Sequence, residues 1–347
     1  MKRPKILVLY TGGTFGMDEN LEIPDLSASA LKKRLLARAP EMTRIADCTI
    51  RVVFNLDSCQ MGLEHWIRLA REIRSSSRTF DGVVILHGTD TLAYTAAALS
   101  MLLSPCPRPV VLTGAQKPLY SLRNDARSNL LTALEVAANG PKELKHRVTV
   151  AFHDEVYLGS RVRKHSAFDF GAFESPRFPR LARVGSGIQY ESIIRSLPKI
   201  RKQAPLIDSL SSPPASLPRI LKTEVTPEFP SDCFDGASLK QLDSILLTLY
   251  PSATAPTLHP GFMEFIRRAR QNGTQLLAIT ERSHAPLQMG SYESGKILKQ
   301  AGVKWCADLT PEAAYVKTML THLLAPTPIA FDRLWKRPLS DETGGAV

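Results

Sequence analysis

The sequence predicts an α/β fold: a mainly parallel sheet in the first half, followed by a second, smaller α/β unit. Three observations lead there. Short apolar runs alternate with amphipathic stretches from the start of the chain. Those runs are continuous rather than alternating, as expected of parallel strands buried on both faces. A Pro- and Ser-rich break near residue 197 separates this rhythm from its later resumption.

The first strand is predicted over residues 5–10 and exits into Thr11-Gly12-Gly13-Thr14. A second apolar run, 82–86, exits into His87-Gly88-Thr89-Asp90-Thr91. A helix is expected over 92–103, a strand over 109–114, a helix over 124–138 and a strand over 148–152. The segment 197–217 reads as an interdomain linker, with Pro198-Lys199-Ile200-Arg201-Lys202 and Ser211-Ser212-Pro213-Pro214 inside it. This divides the chain into domains 1–196 and 218–347. In the second, strands are expected over 220–225, 244–250 and 275–280, and helices over 261–271, 295–301 and 311–324.

The 347 residues are enough for two sizeable cores. Hydrophobic content of 44% and charged content of 22% are those of a water-soluble globular chain. No apolar run approaches the roughly 18 residues of a membrane span. The basic start, Met1-Lys2-Arg3-Pro4-Lys5, precedes an apolar stretch too short for a secretory signal, so a cytoplasmic protein is expected. Cys48, Cys59, Cys106, Cys233 and Cys306 are scattered and lack metal-ligand spacing, which favours free thiols in a reducing compartment. The net charge of +11 is spread along the chain without aromatic interleaving, so a solvated basic surface is favoured over a nucleic-acid site.

Parallel strands present ligand sites at their carboxyl ends. Paired glycines there permit unusual backbone angles and close approach. Thr14 reads either as a helix cap or as a reactive hydroxyl, and Gly12-Gly13-Thr14-Phe15-Gly16 does not fit a dinucleotide fingerprint or a P-loop. Asp90, flanked by Thr89 and Thr91, can bind an ammonium group, or Asp90 or Thr91 can cap the next helix. A lone His87 fits a structural role better than a catalytic one. A threonine needs a base to become a nucleophile. Lys164, in Arg163-Lys164-His165-Ser166, can serve if burial and the nearby cations Arg161 and Arg163 favour its neutral form, or it can be a surface residue.

Thr14, then Asp57-Ser58-Cys59-Gln60-Met61, the 87–91 segment, Thr113-Gly114-Ala115-Gln116 and Lys164 follow the order of one family. Leu122-Arg123-Asn124-Asp125 and Asn129-Leu130-Leu131 extend the match. The chain resembles the bacterial-type L-asparaginases, most closely the cytoplasmic type I group. The resemblance covers nearly the whole chain, more strongly up to about residue 185.

The resemblance implies a flavodoxin-like N-terminal domain containing a left-handed crossover, a linker and a smaller C-terminal α/β domain. It implies hydrolysis of L-asparagine, with L-glutamine as a further ω-amide substrate. Thr14 is then the nucleophile, and Thr89, Asp90 and Lys164 form a proton-moving triad. Ser58 holds the substrate carboxylate, with Asp57, Gly13, Gly88 and Ala115 also lining the substrate site. Main-chain N–H groups of Thr89 and Ala115 are the expected oxyanion donors. No cofactor or metal is implied. Self-association as a homodimer or homotetramer is implied, with no membrane partner.

Three departures from the family pattern stand out. Phe15-Gly16-Met17-Asp18-Glu19-Asn20-Leu21-Glu22-Ile23-Pro24 contains no tyrosine, where family lids carry one beside the nucleophile. Thr254 stands where the family has an asparagine in a Gly-x-Gly-Asn turn. A hydroxyl cannot supply both the paired donors and the acceptor of an amide, so weaker recognition of the substrate's amino group is expected. Thr280-Glu281-Arg282 lacks the cysteine of the family's allosteric segment, so hyperbolic kinetics are expected. Two other readings stand beside hydrolysis. One is the asparaginase-like component of a tRNA-dependent amidotransferase, which carries an additional N-terminal domain. The other is an amide-binding pseudoenzyme.

Overall fold

A computed structural model describes residues 3–17, 27–199, 203–210, 214, 216–280, 289–306, 308–325 and 327–344. The chain divides into two compact units. The first comprises Met1–Pro213 with Leu339–Asp341, the second Pro214–Pro338 with Glu342–Gly345. The expected linker falls partly outside the described residues.

The first unit contains, in chain order, β1 (Lys5–Tyr10), β2 (Asp47–Val52), β3 (Gly82–Leu86), β4 (Val110–Thr113), β5 (Val148–Phe152), β6 (Glu155–Leu158), β7 (Arg163–Lys164), β8 (Phe173–Glu174), β9 (Ala182–Val184) and β10 (Ile188–Tyr190). Among the described residues, eight of these make one sheet in the order β10-β9-β6-β5-β4-β3-β1-β2. The stretch from β2 to β5 is parallel. Its order, 2-1-3-4-5, is that of flavodoxin-like sheets. Beyond β5 the pairing turns antiparallel. There, His153 at φ 53° helps reverse the chain between β5 and β6. The remaining pair, β7 and β8, forms its own antiparallel ladder.

The helices of this unit are α1 (Ala28–Arg38), α2 (Met42–Ile45), α3 (Leu63–Ser76), α4 (Leu92–Leu102) and α5 (Ala126–Asn139). Side chains alternate across a strand. Ile6, Val8, Val84 and Val111 pack in one core cluster with Leu31, Leu35, Met42, Leu130 and Leu134 from α1, α2 and α5. Their strand neighbours Leu7, Leu9, Val83, Ile85 and Leu112 face the other way and are equally buried. Both faces being covered is why these strands are continuously apolar. Burying each such side chain contributes on the order of 1.5–3 kcal/mol. Helix α4 is buried on nearly every side, whereas α3 buries Leu63, Trp66, Ile67, Leu69, Ala70, Ile73 and Ser76 and exposes Glu64, Arg68, Arg71, Arg74 and Ser75 on its other face.

The second unit holds a four-stranded parallel sheet among the described residues: β11 (Ile220–Glu224), β12 (Ser244–Leu249), β13 (Gln275–Thr280) and β14 (Lys304–Trp305). Its helices are α6 (Gly236–Lys240), α7 (Pro260–Gln271), α8 (Glu293–Gln300), α9 (Pro311–Leu324) and α10 (Pro328–Trp335). The apolar face of α7 sets Phe262, Phe265 and Ile266 against Phe229 and the strands. Thr310 caps α9 by accepting from the Ala313 N–H, and Pro311 occupies its first turn, where the missing N–H does no harm. After β12, the Tyr250 N–H donates to the Thr254 carbonyl and the Ala253 N–H to the Tyr250 carbonyl, closing a tight turn. No helix among the described residues is long and apolar enough to cross a membrane.

Candidate active site

The predicted residues gather at the carboxyl ends of adjacent strands, through backbones that nearly touch. A Cβ on Gly13 would lie 2.5 Å from the Gly88 Cα. One on Gly88 would lie 2.7 Å from Ser58 Oγ, and one on Gly114 2.6 Å from the His87 carbonyl oxygen. Where backbone meets backbone, at Gly13 and Gly114, only hydrogen fits. The turns after β1, β3 and β4 and the 57–60 turn after β2 are therefore stacked side by side. Thr14 and Thr89 each follow a glycine of the Gly13–Gly88 crossing.

Neither threonine caps a helix. Thr14 follows Gly13, at φ 79°, into a single turn of 3-10 helix with no side-chain cap, and it is half-buried. The carbonyl of Gly16 in that turn accepts from Arg34 on α1 at 3.2 Å. Asp18 and the rest of the lid segment to Pro24 lie outside the described residues. Thr91 occupies the cap position of α4, yet its hydroxyl donates instead to the Ser58 carbonyl at 2.6 Å. This bond ties the 57–60 turn to the β3 exit. Asp57 opens that turn by accepting from the Cys59 N–H at 3.1 Å, and Ser58 is buried.

Lys164 joins the cluster from β7. Its Nζ donates to Thr89 Oγ1 at 2.8 Å and to Asp90 Oδ1 at 2.6 Å. The lysine side chain is 17% exposed and the aspartate 65%, so Asp90 keeps a face open to solvent. Of the two nearby cations read from the sequence, Arg163 precedes Lys164 on β7, and Arg161 is committed elsewhere: its guanidinium donates to the Asp341 carbonyl and lies over the Phe178 ring. The charged partner of Lys164 is the Asp90 carboxylate.

Three supports hold the site, of which only His87 was read as structural from the sequence. Asp125, almost fully buried, accepts from the N–H groups of Gln116 and Lys117 and from Asn129 Nδ2, at 3.0–3.1 Å. Asn129 Nδ2 also donates to the Gly114 carbonyl at 2.9 Å. Together they brace the Gly114–Lys117 turn around Ala115. Burial raises the Asp125 pKa, and these hydrogen bonds oppose the rise. The Gln116 side chain links Thr89 to the Asp169 carbonyl. The only sequence signal for these supports was that Gln116, Asp125 and Asn129 fall inside the family-matching stretches.

The third support is His87. It is buried, and desolvation pushes its pKa down to about 4. Its Nδ1–H donates to the Gly88 carbonyl at 2.7 Å, and Nε2 accepts from the Thr95 hydroxyl at 2.9 Å. Thr95 in turn accepts from the Trp66 indole at 3.1 Å. Every polar atom in this chain of bonds is satisfied by a neutral imidazole, as expected for a structural histidine.

The main-chain N–H groups of Thr89 and Ala115 donate to no acceptor among the described residues. Two unengaged N–H groups beside clustered hydroxyls form an arrangement that can hold a developing oxyanion. Among the described residues, no group of three or more His, Cys, Asp or Glu side chains is arranged to hold a metal ion. In the second unit, Thr254 accepts a main-chain hydrogen bond through its carbonyl, and Thr280 ends β13. Glu281 and Arg282 lie outside the described residues.

Comparisons with known proteins point to one family. The family model described as "Asparaginase, N-terminal" matches residues 5–195. The chain is 35% identical to L-asparaginase 1 of Escherichia coli K12, covering 94% of this chain and 93% of that protein. The structure of the thermostable L-asparaginase from Thermococcus kodakarensis superposes with a TM-score of 0.83 at 30% identity, covering 99% of this chain and 100% of that one. A glutamyl-tRNA(Gln) amidotransferase component from Pyrococcus abyssi is 28% identical, over 91% of this chain and 71% of that protein.

Proposed function

Because the chain belongs to the asparaginase family, we propose that it is an amidohydrolase that converts L-asparagine to L-aspartate and ammonia through an acyl-enzyme on Thr14. The observation that carries this reading is Lys164 Nζ within 2.8 Å of Thr89 Oγ1 and 2.6 Å of Asp90 Oδ1, beside the turn that bears Thr14.

In this mechanism the Thr14 hydroxyl attacks the side-chain amide carbon and its proton passes to the amide nitrogen. The N–H groups of Thr89 and Ala115 hold the oxyanion, and the protonated nitrogen leaves as ammonia. Thr89 and Lys164 then take a proton from water, which attacks the acyl-enzyme and frees aspartate. Asp90 pairs with the substrate's α-ammonium group through its exposed face. Ser58 receives the α-carboxylate, with Asp57, Gly13, Gly88 and Ala115 shaping the pocket around it. Losing one oxyanion donor in such a site typically lowers the rate about 100–1,000-fold.

We also infer a cytoplasmic homodimer or homotetramer. Leu122 is fully exposed and Phe168 is 91% exposed, on the loops that follow Gln116 and precede Asp169. A partner surface that covered them would remove this apolar area from water.

The test is ammonia release from asparagine and glutamine by the wild type, Thr14→Ala and Thr89→Val. The expected result is turnover of asparagine by the wild type and its loss in both variants. No turnover by the wild type at millimolar asparagine overturns the reading, and full turnover by Thr14→Ala overturns the nucleophile. The likeness to the amidotransferase component favours one alternative, glutaminase activity serving a tRNA-bound partner. Salt-sensitive tRNA binding would favour that alternative.

A further inference from the structure

The amide of Gln116 determines where the Thr89 proton lies. The Asp169 carbonyl can only accept, so the Gln116 atom 3.1 Å from it is the donor Nε2. Gln116 therefore turns Oε1 toward Thr89, at 3.3 Å. That oxygen also can only accept, so the single proton of Thr89 points to Gln116. The 2.8 Å contact between Lys164 and Thr89 is then an N–H donated by the lysine into a threonine lone pair. For Thr89 to give its proton to Lys164, the hydroxyl must first swing away from Gln116. At 3.3 Å that bond is long for O–H···O and so weak enough to break in each turnover.

We propose that Gln116 is a positioning residue that holds the Thr89 proton away from Lys164 between turnovers, and so sets the pH at which the Thr89–Lys164 pair becomes a working base. This rests on the proton-relay role given to that pair above. When the hydroxyl swings, the Thr89 O–H bond breaks and a new N–H bond forms on the neutral amine. The electron pair stays on Oγ1, which takes a proton from the attacking water. The water's hydroxide adds to the acyl carbon, the bond from that carbon to Thr14 Oγ1 breaks, and the proton held by Lys164 returns through the relay to Thr14, so no electrons change hands.

The support for Gln116 is rigid at its base, because its N–H is 3.0 Å from both oxygens of the buried Asp125. The other charged and titratable groups around the pair are fixed by their own contacts. Asp90 pairs with Lys164, and the Asp169 carboxylate accepts from Ser166. Arg163 and Glu174 face each other across β7 and β8, and His87 is neutral and enclosed.

A Gln116 acceptor favours the arrangement in which lysine is the protonated donor. Removing it lets the pair lose that proton at lower pH, and an anion in its place does the reverse. The test is the pH profile of kcat/KM for asparagine in the wild type, Gln116→Met and Gln116→Glu. The acid limb is expected to move down by about half a pH unit in Gln116→Met, the scale of one weak hydrogen bond. In Gln116→Glu it is expected to move up, with KM in Gln116→Met within about twofold of wild type.

Limbs that coincide with wild type, or that move together, overturn the proposal. A uniform loss of kcat in Gln116→Met with its limb unmoved does the same. If Gln116→Glu is inactive, the Gln116→Met limb alone decides. Thr89→Val separates the two layers. A fully active Thr89→Val removes the relay itself, whereas an inactive Thr89→Val with unmoved Gln116 limbs removes only the role of Gln116.

Discussion

The turns after β1 and after β12 both follow parallel strands, and they are built by different means. After β1, Gly12 and Gly13 take φ of 109° and 79°, and a Cβ on Gly13 would strike the Gly88 backbone. After β12, the turn at Tyr250–Thr254 also needs a left-handed residue, but it uses Ala253 at φ 57°. A positive φ alone costs an alanine roughly 1–2 kcal/mol and can be tolerated. A second backbone at van der Waals distance cannot. Glycine is therefore required in the first turn by its neighbour, whereas in the second only the dihedral angle favours it and alanine serves.

Substitutions can break this comparison, and they are expected to differ in size. Gly13→Ala meets both the strain and the clash. Its expected cost is about 3 kcal/mol or more, measured from urea unfolding, together with at least a roughly hundredfold drop in ammonia release. A variant with wild-type stability would show that the two backbones are free to separate.

The next effect depends on pH and concerns the brace beneath the same turn. His87 titrates near 4 in the folded protein, against about 6.5 when unfolded. Between those values the unfolded chain binds a proton that the folded one does not. This histidine therefore lowers stability as pH falls from about 6.5 to 4, by about 3 kcal/mol in all, and adds nothing further below 4. His87→Gln is expected to remove that part of the pH dependence. Unfolding free energies at about pH 7 and pH 4.5 for both proteins give the difference directly, and parallel slopes would mean that the imidazole is not held neutral.

Gly88→Ala sits lower on the scale. Its added methyl meets the Ser58 side chain rather than backbone, 2.7 Å from Oγ and 2.8 Å from Cβ, and Ser58 can give way. The expected cost is about 1–3 kcal/mol, with KM for asparagine rising more than kcat falls. Smallest is Ala253→Gly, expected to gain about 0.5 kcal/mol as relief of strain outweighs the lost chain stiffness. A loss from that change would mean that the alanine methyl is needed for packing in its buried position.

The strands β1, β3, β4 and β5 were legible in the sequence because both their faces are buried, leaving no polar positions to blur the run. The edge strand β2 was not, since only Ile50 in it is buried and the rest reads as a polar segment. The short antiparallel strands from β6 to β10 were also missed, because two to four residues give no period to detect. The candidate site divides the same way. Glycines and hydroxyls at strand exits are local features and could be read as a group. The links from Lys164 to Thr89, from Gln116 to Asp169 and from Thr91 to Ser58 join residues 33 to 75 positions apart. No local pattern announces such links. The capping alternatives for Thr14 and Thr91 failed because tertiary partners and the stacked turns, not the following helix, set their surroundings.

Lys164 sits on a ladder only two residues long, paired as Arg163 with Glu174 and Lys164 with Phe173. A ribbon that short has little cooperativity of its own. It can open while the eight-stranded sheet stays intact, at a free energy well below that of global unfolding. Amide hydrogens of this hairpin, such as that of His165 bonded to the Ala172 carbonyl, should then exchange with solvent much sooner than those of β3. On warming, the site would lose its amine before the molecule loses its core, so inactivation would precede melting and reverse on cooling.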